Sequence, residues 1–275
     1  MPQNKNKNII QIIPNMEIGG AEKTVLEIGS FLKNTSYKPI VLTSGGRMVE
    51  ILKKEGIKVL IHKIDQKNPY IIYRNIKKFI EIFNENKISL VHARSRAPAW
   101  SSYYAAKALK IPFITTWHGH AENATFLKKK YNSVMLKGNA VIANSKYTAK
   151  KISLNYRFDI NKIDIIPRGV NYEDFKAINF TNNEIVNLRK KWTKNNNQKI
   201  ILLPARYSRW KGHELAIKAL SELSKKNVNL NFSIIFVGNK KGNEKYINHL
   251  EELSNKLGIS NYLKILENFD NMPLA

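Results

Sequence analysis

Short runs rich in β-branched residues alternate with longer runs of helical period along almost the whole chain, and this alternation leaves few folds open. A strand that returns parallel to its neighbour needs a crossover long enough to hold a helix. Repeated strand–helix units therefore predict parallel sheets with helices packed on their faces. Strands are expected at Ile9–Ile13, Pro39–Thr43, Lys58–His62, a run ending in Leu90–His92, Phe113–Thr116, Ala140–Ala143 and Ile163–Ile166. Helices are expected at Ala21–Lys33, Met48–Glu55, Ile71–Asn84, Ala97–Leu109, Thr125–Leu136 and Lys146–Leu154. In the first helix Val25, Leu26, Ile28, Gly29 and Leu32 share one face. In the third, Ile72, Ile76, Phe79, Ile80 and Phe83 do so.

The rhythm breaks at Pro167-Arg168-Gly169, which reads as a turn, and Tyr172–Asn182 has too little periodicity for an element and reads as a linker. After the polar stretch Lys194–Gln198 the alternation restarts: strand Ile200–Leu203, helix Glu214–Ser224, strand Phe232–Val237, helix Glu244–Leu257, strand Leu263–Leu266. The chain thus divides into an α/β domain over 1–170 and a second over 171–275. About seven strands fall in the first and three in the second. A three-stranded parallel sheet with an open edge is a poor independent unit, so the second domain is expected to continue beyond Ala275. A naturally minimal domain is the alternative.

The formal charge of +25 comes from 46 Lys and Arg against 21 Asp and Glu. Such an excess suits nucleic acid, phosphate ligands or anionic lipid. A chain this rich in Lys, Asn and Ile also acquires positive charge by compositional drift on solvated faces. No nucleic-acid motif is present and the aromatics do not interleave with the basic runs, so no nucleic-acid partner is expected. With no cysteine, disulfides, thiolate metal sites and a cysteine nucleophile are excluded. No run nears the roughly 18 apolar residues of a membrane span. The apolar run Ile9–Ile13 is too short for a signal peptide, so a cytoplasmic location is expected.

Four loops at the C-terminal ends of strands carry candidate chemistry, because ligands of open parallel sheets bind there. Gly19-Gly20-Ala21-Glu22 follows the first strand, where glycines let a ligand approach helix N-terminal amides that suit an anion or a sugar hydroxyl. A plain glycine turn at a helix start fits equally well. The spacing is not that of a dinucleotide fingerprint. Val91-His92-Ala93-Arg94-Ser95-Arg96 places two guanidinium forks in one loop, fit for phosphate or carboxylate, or else merely solvated. Trp117-His118-Gly119-His120 offers a histidine that can hydrogen-bond a ligand or move a proton; a metal pair or a structural histidine are the other readings. Ala205-Arg206-Tyr207-Ser208-Arg209-Trp210-Lys211-Gly212-His213-Glu214 leads into a helix, and Arg206 and Lys211 would converge near its N-terminus to hold a diphosphate. Two basic helices, with Phe126, Leu127 and Tyr131 around Lys128-Lys129-Lys130 and with Arg74, Lys77 and Lys78 beside an apolar face, suit either an anionic bilayer or an ordinary surface position.

Taken in order, Gly19-Gly20-Ala21-Glu22, the His118-Gly119 loop, Ile166-Pro167-Arg168-Gly169-Val170 and Arg206…Lys211-Gly212 resemble the motifs of retaining glycosyltransferases of the GT-B fold, family 4, also called group 1. Phe269-Asp270-Asn271-Met272-Pro273 is similar to the loop before the family's next helix. The resemblance covers essentially the whole chain. It implies two Rossmann-like domains facing a cleft, the second incomplete here, and a hexosyltransferase type of activity that keeps the anomeric configuration without a covalent enzyme intermediate. The donor implied is a UDP- or GDP-sugar. The acceptor implied is a glycan or lipid-linked sugar of the cell envelope, such as a lipopolysaccharide core, reached from the inner face of the membrane. By resemblance Arg206 and Lys211 hold the diphosphate in place of a metal ion, so no metal or cofactor is implied. The same resemblance implies that Gly19, Gly20 and Gly119 approach the substrates and that His118 stands near the transferred sugar, while Arg94 is a substrate-binding candidate from the chemistry of its own loop. The family's later glutamate-rich motif has no counterpart in these residues, so a chain ending at Ala275 is expected to bind donor poorly. A non-catalytic remnant or nucleotide-sugar-binding protein of the same fold is the second reading.

Overall fold

The computed structural model describes residues 7–119, 125–193, 198–226, 231–269 and 271–275. His120 and Asp270, both within motifs noted above, lie outside the described residues. The chain divides into two compact units, Met1–Gly169 and Val170–Ala275.

The first unit is built on a seven-stranded, all-parallel sheet. Its strands are β1 Asn8–Ile12, β2 Lys38–Thr43, β3 Lys58–Ile61, β4 Ile88–Ala93, β5 Phe113–Trp117, β6 Ala140–Ala143 and β7 Ile163–Ile165. They lie in the order β3-β2-β1-β4-β5-β6-β7. Winding runs outward from β1 in one direction through β2 and β3, then in the other from β4. The order therefore reverses between β1 and β4, the place where open parallel sheets form a crevice at their strand C-termini.

Helices α1 Gly20–Lys33, α2 Val49–Lys54, α3 Pro69–Glu85, α4 Arg96–Ala108, α5 Phe126–Asn132 and α6 Lys146–Tyr156 supply the crossovers. Ile10, Ile12, Ile40 and Leu42 join Phe79, Phe83 and Ala99 in the main core. Val41 packs with Val25, Val49 and Leu52 in a second cluster, as expected for strands buried on both sides. In α3, Phe79 and Phe83 are buried as the period predicts, but Asn75 is buried as well. It is satisfied by His62 Nε2 at 3.0 Å and by donating to the Lys63 carbonyl at 3.2 Å.

The helix expected at Thr125–Leu136 is shorter. It ends at Asn132 and tightens into a 3-10 turn, Ser133–Leu136. The Met135 carbonyl accepts from Thr115 Oγ1 at 2.6 Å and from Trp117 Nε1 at 3.2 Å, so side chains of β5 take an acceptor that a continuing helix would use.

The second unit has a three-stranded parallel sheet, β8 Lys199–Pro204, β9 Phe232–Val237 and β10 Leu263–Leu266, in the order β10-β9-β8. Beside it lie α7 Asn182–Trp192, α8 His213–Lys225 and α9 Glu244–Lys256. Helix α7 is absent from the sequence-based expectation, and the expected linker Tyr172–Asn182 instead holds two 3-10 turns, Tyr172–Phe175 and Ala177–Asn179. The helix starts with a capping box, in which Thr181 and Glu184 satisfy each other's backbone amides. Trp192 at its end packs with Ile235, Val237 and Phe269.

Candidate functional site

In the first unit the loops after β1, β4, β5 and β7 bring together residues far apart in the chain. Arg94, directly after β4, is almost fully buried at 3% exposure. Its Nε donates to Gln11 Oε1 on β1 at 2.9 Å, and its Nη2 lies 3.5 Å from His92 Nδ1. Gln11 in turn donates from Nε2 to the Val25 carbonyl of α1 at 3.1 Å. His92 Nε2 meets Thr116 Oγ1 on β5 at 2.7 Å. Since a guanidinium only donates, His92 Nδ1 is the acceptor and its proton sits on Nε2. Burial first, then the Arg94 charge, holds the His92 pKa well below the ordinary value. Arg94 is itself lowered to about 10 by burial and by the Arg168 charge.

His118 follows β5. Its Nδ1 accepts from Arg168 Nη2 at 3.0 Å, and Asn144 Nδ2 donates to its carbonyl at 3.2 Å. The same reasoning as for His92 puts the ring proton on Nε2. That nitrogen is enclosed and has no hydrogen-bond partner among the described residues. Burial, then the charges of Arg94, Arg168 and Arg96, lowers the His118 pKa to about 3. The ring is therefore neutral across the physiological range, and its free function is a single N–H donor rather than a proton shuttle.

Arg96, the first residue of α4, lies 5.2 Å from the Trp117 ring centre and donates from Nη2 to the Gly119 carbonyl at 3.3 Å. Arg168, after β7, packs its guanidinium directly over Gly20 at the start of α1, leaving no room for a side chain there. Of the expected site residues, the structure thus gathers Gly20, Arg94, His118 and Gly119, with Gly19 as the N-cap of α1. Nothing local in the sequence marks Gln11 or His92 as members of this group. Arg168 is marked in the sequence by the Ile166–Val170 motif and by its position, a cation just past a strand C-terminus.

The second unit presents its own basic loop. After β8 the chain passes Ala205–Ser208, turns through the 3-10 segment Arg209–Lys211 and enters α8. Gly212 caps that helix with φ at 84°, a left-handed conformation that only glycine adopts without strain. Lys211 Nζ stands 3.9 Å from the Trp210 ring centre and Arg206 Cζ 5.8 Å from it, so the exposed indole gathers both expected cations at the helix entrance. Behind them Tyr207 is buried and donates its hydroxyl to the Leu266 carbonyl at 2.5 Å, with the Phe236 carbonyl at 3.1 Å. Burial raises its pKa, which keeps the hydroxyl a donor. His213 is fully buried with its ring against Tyr207, Phe236 and Tyr246. Burial lowers its pKa, so it packs as a neutral ring. The loop is anchored from beneath, with Arg206 exposed and Lys211 half-buried above it.

Comparison with known proteins follows the same division. Residues 18–174 match the model for Glycosyltransferase Family 4, and residues 184–271 match that for Glycosyl transferases group 1. A crystal structure of a glycosyltransferase from Rickettsia africae ESF-5 is similar at 34% identity and a TM-score of 0.84, covering 98% of this chain and 70% of that one. Anabaena Alr3699/HepE, solved in complex with UDP and glucose, is similar in fold at 18% identity and a TM-score of 0.78, covering 98% and 71%. WaaG, a glycosyltransferase involved in lipopolysaccharide biosynthesis, is similar in fold at 15% identity and a TM-score of 0.68, covering 97% and 71%. No curated protein matches the chain.

Proposed function

The chain belongs to the family 4, group 1 glycosyltransferases, and from that premise we propose that it transfers a hexose from a nucleotide-diphosphate sugar to a cell-envelope acceptor with retention of configuration. The observation that carries this reading is the pairing of Arg206 and Lys211 on the Trp210 ring at the entrance to α8. Two cations beside a helix N-terminus suit a diphosphate and stabilise the charge that grows on it as it leaves. They can do the work for which other transferases recruit a divalent ion, and no metal or cofactor is proposed. HepE is solved with UDP and glucose, which supports a UDP-sugar as the first donor to try; a GDP-sugar is the other.

In the proposed reaction the bond from the sugar C1 to the diphosphate oxygen breaks while the acceptor hydroxyl bonds C1 on the same face. The hydroxyl proton passes to the departing phosphate oxygen. His118 contributes a neutral Nε2–H donor to a sugar oxygen; with its pKa near 3 it does not act as an acid. Gly19, Gly20 and Gly119 offer backbone groups at the strand ends, and at Gly20 the absence of a side chain leaves the room that the Arg168 guanidinium takes.

The test is calorimetric titration of UDP and GDP. Arg206→Ala and Lys211→Ala should each weaken binding of the preferred nucleotide by about tenfold or more. Unchanged affinity would remove the assignment and favour a remnant of the fold without donor chemistry. Retention is read from the anomer of the product by NMR.

Peripheral membrane contact on the cytoplasmic side is proposed from α5. Phe126 and Leu127 are 79% and 76% exposed beside Lys128, Lys129 and Lys130. The WaaG likeness is in keeping with an envelope acceptor. No helix among the described residues is long and apolar enough to cross a membrane. Co-sedimentation with anionic but not neutral vesicles is the expected result.

A further inference from the structure

The first domain carries more positive charge at its strand ends than its own residues balance. Arg94, Arg96 and Arg168 all act on His118, and Arg168 also acts on Arg94. Among the described residues none of the three pairs with a carboxylate. Of the two acidic side chains near the β1 loop, Glu17 binds Arg47 at 2.9 Å, while the Glu22 carboxylate folds back over Gly19 at the start of α1 and pairs with none of the three arginines among the described residues. Arg94 is the most telling of the three. A guanidinium taken almost wholly out of water is costly unless an anion compensates it, and here its named partners are the neutral side chains of Gln11 and His92. Helices α1 and α4 both begin at this cluster, with Gly20 and Arg96 as their first residues, and their N-termini add partial positive charge.

We propose that this cluster is a phosphate site of the first domain and that the phosphate belongs to the acceptor, so the enzyme glycosylates a phosphorylated sugar or a phosphate-bearing lipid-linked glycan. The assignment to the acceptor rests on the proposed function, in which the donor diphosphate is held by Arg206 and Lys211 on the second domain. Guanidinium forks and helix N-termini match a tetrahedral dianion better than they match an uncharged glycan, whose hydroxyls would leave the arginine charges uncompensated.

The experiment follows the His118 ring resonances by NMR in the full chain with inorganic phosphate, glucose 6-phosphate and glucose as probes, with and without saturating UDP. Phosphate and glucose 6-phosphate should perturb His118 whether or not UDP is bound, at concentrations at least tenfold below any effect of glucose. Arg168→Gln and Arg96→Gln should weaken that response at least fivefold and leave UDP affinity within twofold. Arg168 is exposed, so its variant keeps the fold; a matched thermal midpoint verifies this for both. Loss of the response on adding UDP would give the cluster to the donor diphosphate and overturn the proposal. So would equal responses to glucose and glucose 6-phosphate, an undiminished response in the arginine variants, or no response at all. The phosphate arm is read without UDP as well. Failure of UDP to bind would therefore count against the donor assignment alone, leaving the anion site to be judged by its own arm.

Discussion

The guanidinium of Arg168 occupies the space into which a side chain at Gly20 would grow. A Cβ on Gly20 would overlap Arg168 Nη1, while Nη2 of the same group donates to His118 Nδ1 at 3.0 Å. Gly20 is not among the glycines with positive φ, so the position uses the absence of a side chain rather than freedom of the backbone. One atom of space at the start of α1 thus decides where a cation sits, and that cation sets the tautomer of the histidine beside it.

Gly20→Ala should cost little stability, within about 1 kcal/mol, because alanine suits a helix start and the obstacle is the far end of a flexible side chain. Arg168 should move away from His118. With a positive neighbour removed and Nδ1 released, the His118 pKa should rise from about 3 toward its ordinary value. NMR titration of the ring reads this directly. A His118 pKa that does not move would show that Gly20 does not hold Arg168 in place.

The depressed His118 pKa also has a sign in stability. Between about pH 6.5 and pH 3 the unfolded chain takes up the proton and the folded ring does not. Stability should therefore be fully present above about pH 6.5 and fall as the solution is acidified toward pH 3. His118→Gln should lose less on going from pH 7 to pH 4, by on the order of 2 kcal/mol after allowance for the ring's partial exposure. His92 is shifted in the same direction and remains in the variant, so part of the acid sensitivity persists. Urea denaturation at the two pH values measures the difference. Identical losses in both proteins would refute a buried neutral His118.

Gln11→Leu should destabilise the first domain by about 2 kcal/mol. It strips the acceptor from Arg94 Nε and the donor from the Val25 carbonyl, and both lie in the interior. Leucine is close to glutamine in volume, so a cavity does not explain the loss. A urea midpoint equal to that of the parent would mean that Arg94 does not depend on Gln11.

Trp210→Ala should weaken UDP binding two- to fivefold, the worth of about 0.5–1 kcal/mol expected from a cation–π contact at an exposed ring. Trp210→Phe keeps an aromatic face and should recover most of it. Calorimetry on the three proteins checks the order. Equal losses in both variants would point to the indole N–H rather than to the ring face.

Much of the fold is legible in local pattern. Strands β6, β9 and β10 coincide with the expected runs, and the other strands differ only at their ends, because alternation and helical period are properties of neighbouring residues. Helix α7 escapes that reading, since Asn182–Trp192 is polar along most of its length, although the Thr181…Glu184 capping box stands in the sequence as a start signal. The turn in Ser133–Leu136 escapes it for another reason. What draws the Met135 carbonyl away from a helix is a pair of side chains on β5, eighteen or more residues earlier in the chain.

For the candidate site, the sequence by itself determined which loops carry cations and glycines at strand ends: Gly19-Gly20, Arg94 and Arg96, His118-Gly119, and Arg206 with Lys211. Only the tertiary structure decided which of them meet. The strand order puts β1 beside β4 and β4 beside β5, so Gln11 reaches Arg94 across 83 positions. Arg168, returning after β7, reaches His118 across 50. Residue type and spacing describe a local backbone, whereas the burial of His118 comes from packing of the whole sheet, its tautomer from Arg168, and its lowered pKa from that burial first and then from the arginine charges that other loops deliver. Those are set by the pairing of the whole sheet and by nothing in the neighbourhood of the residue itself.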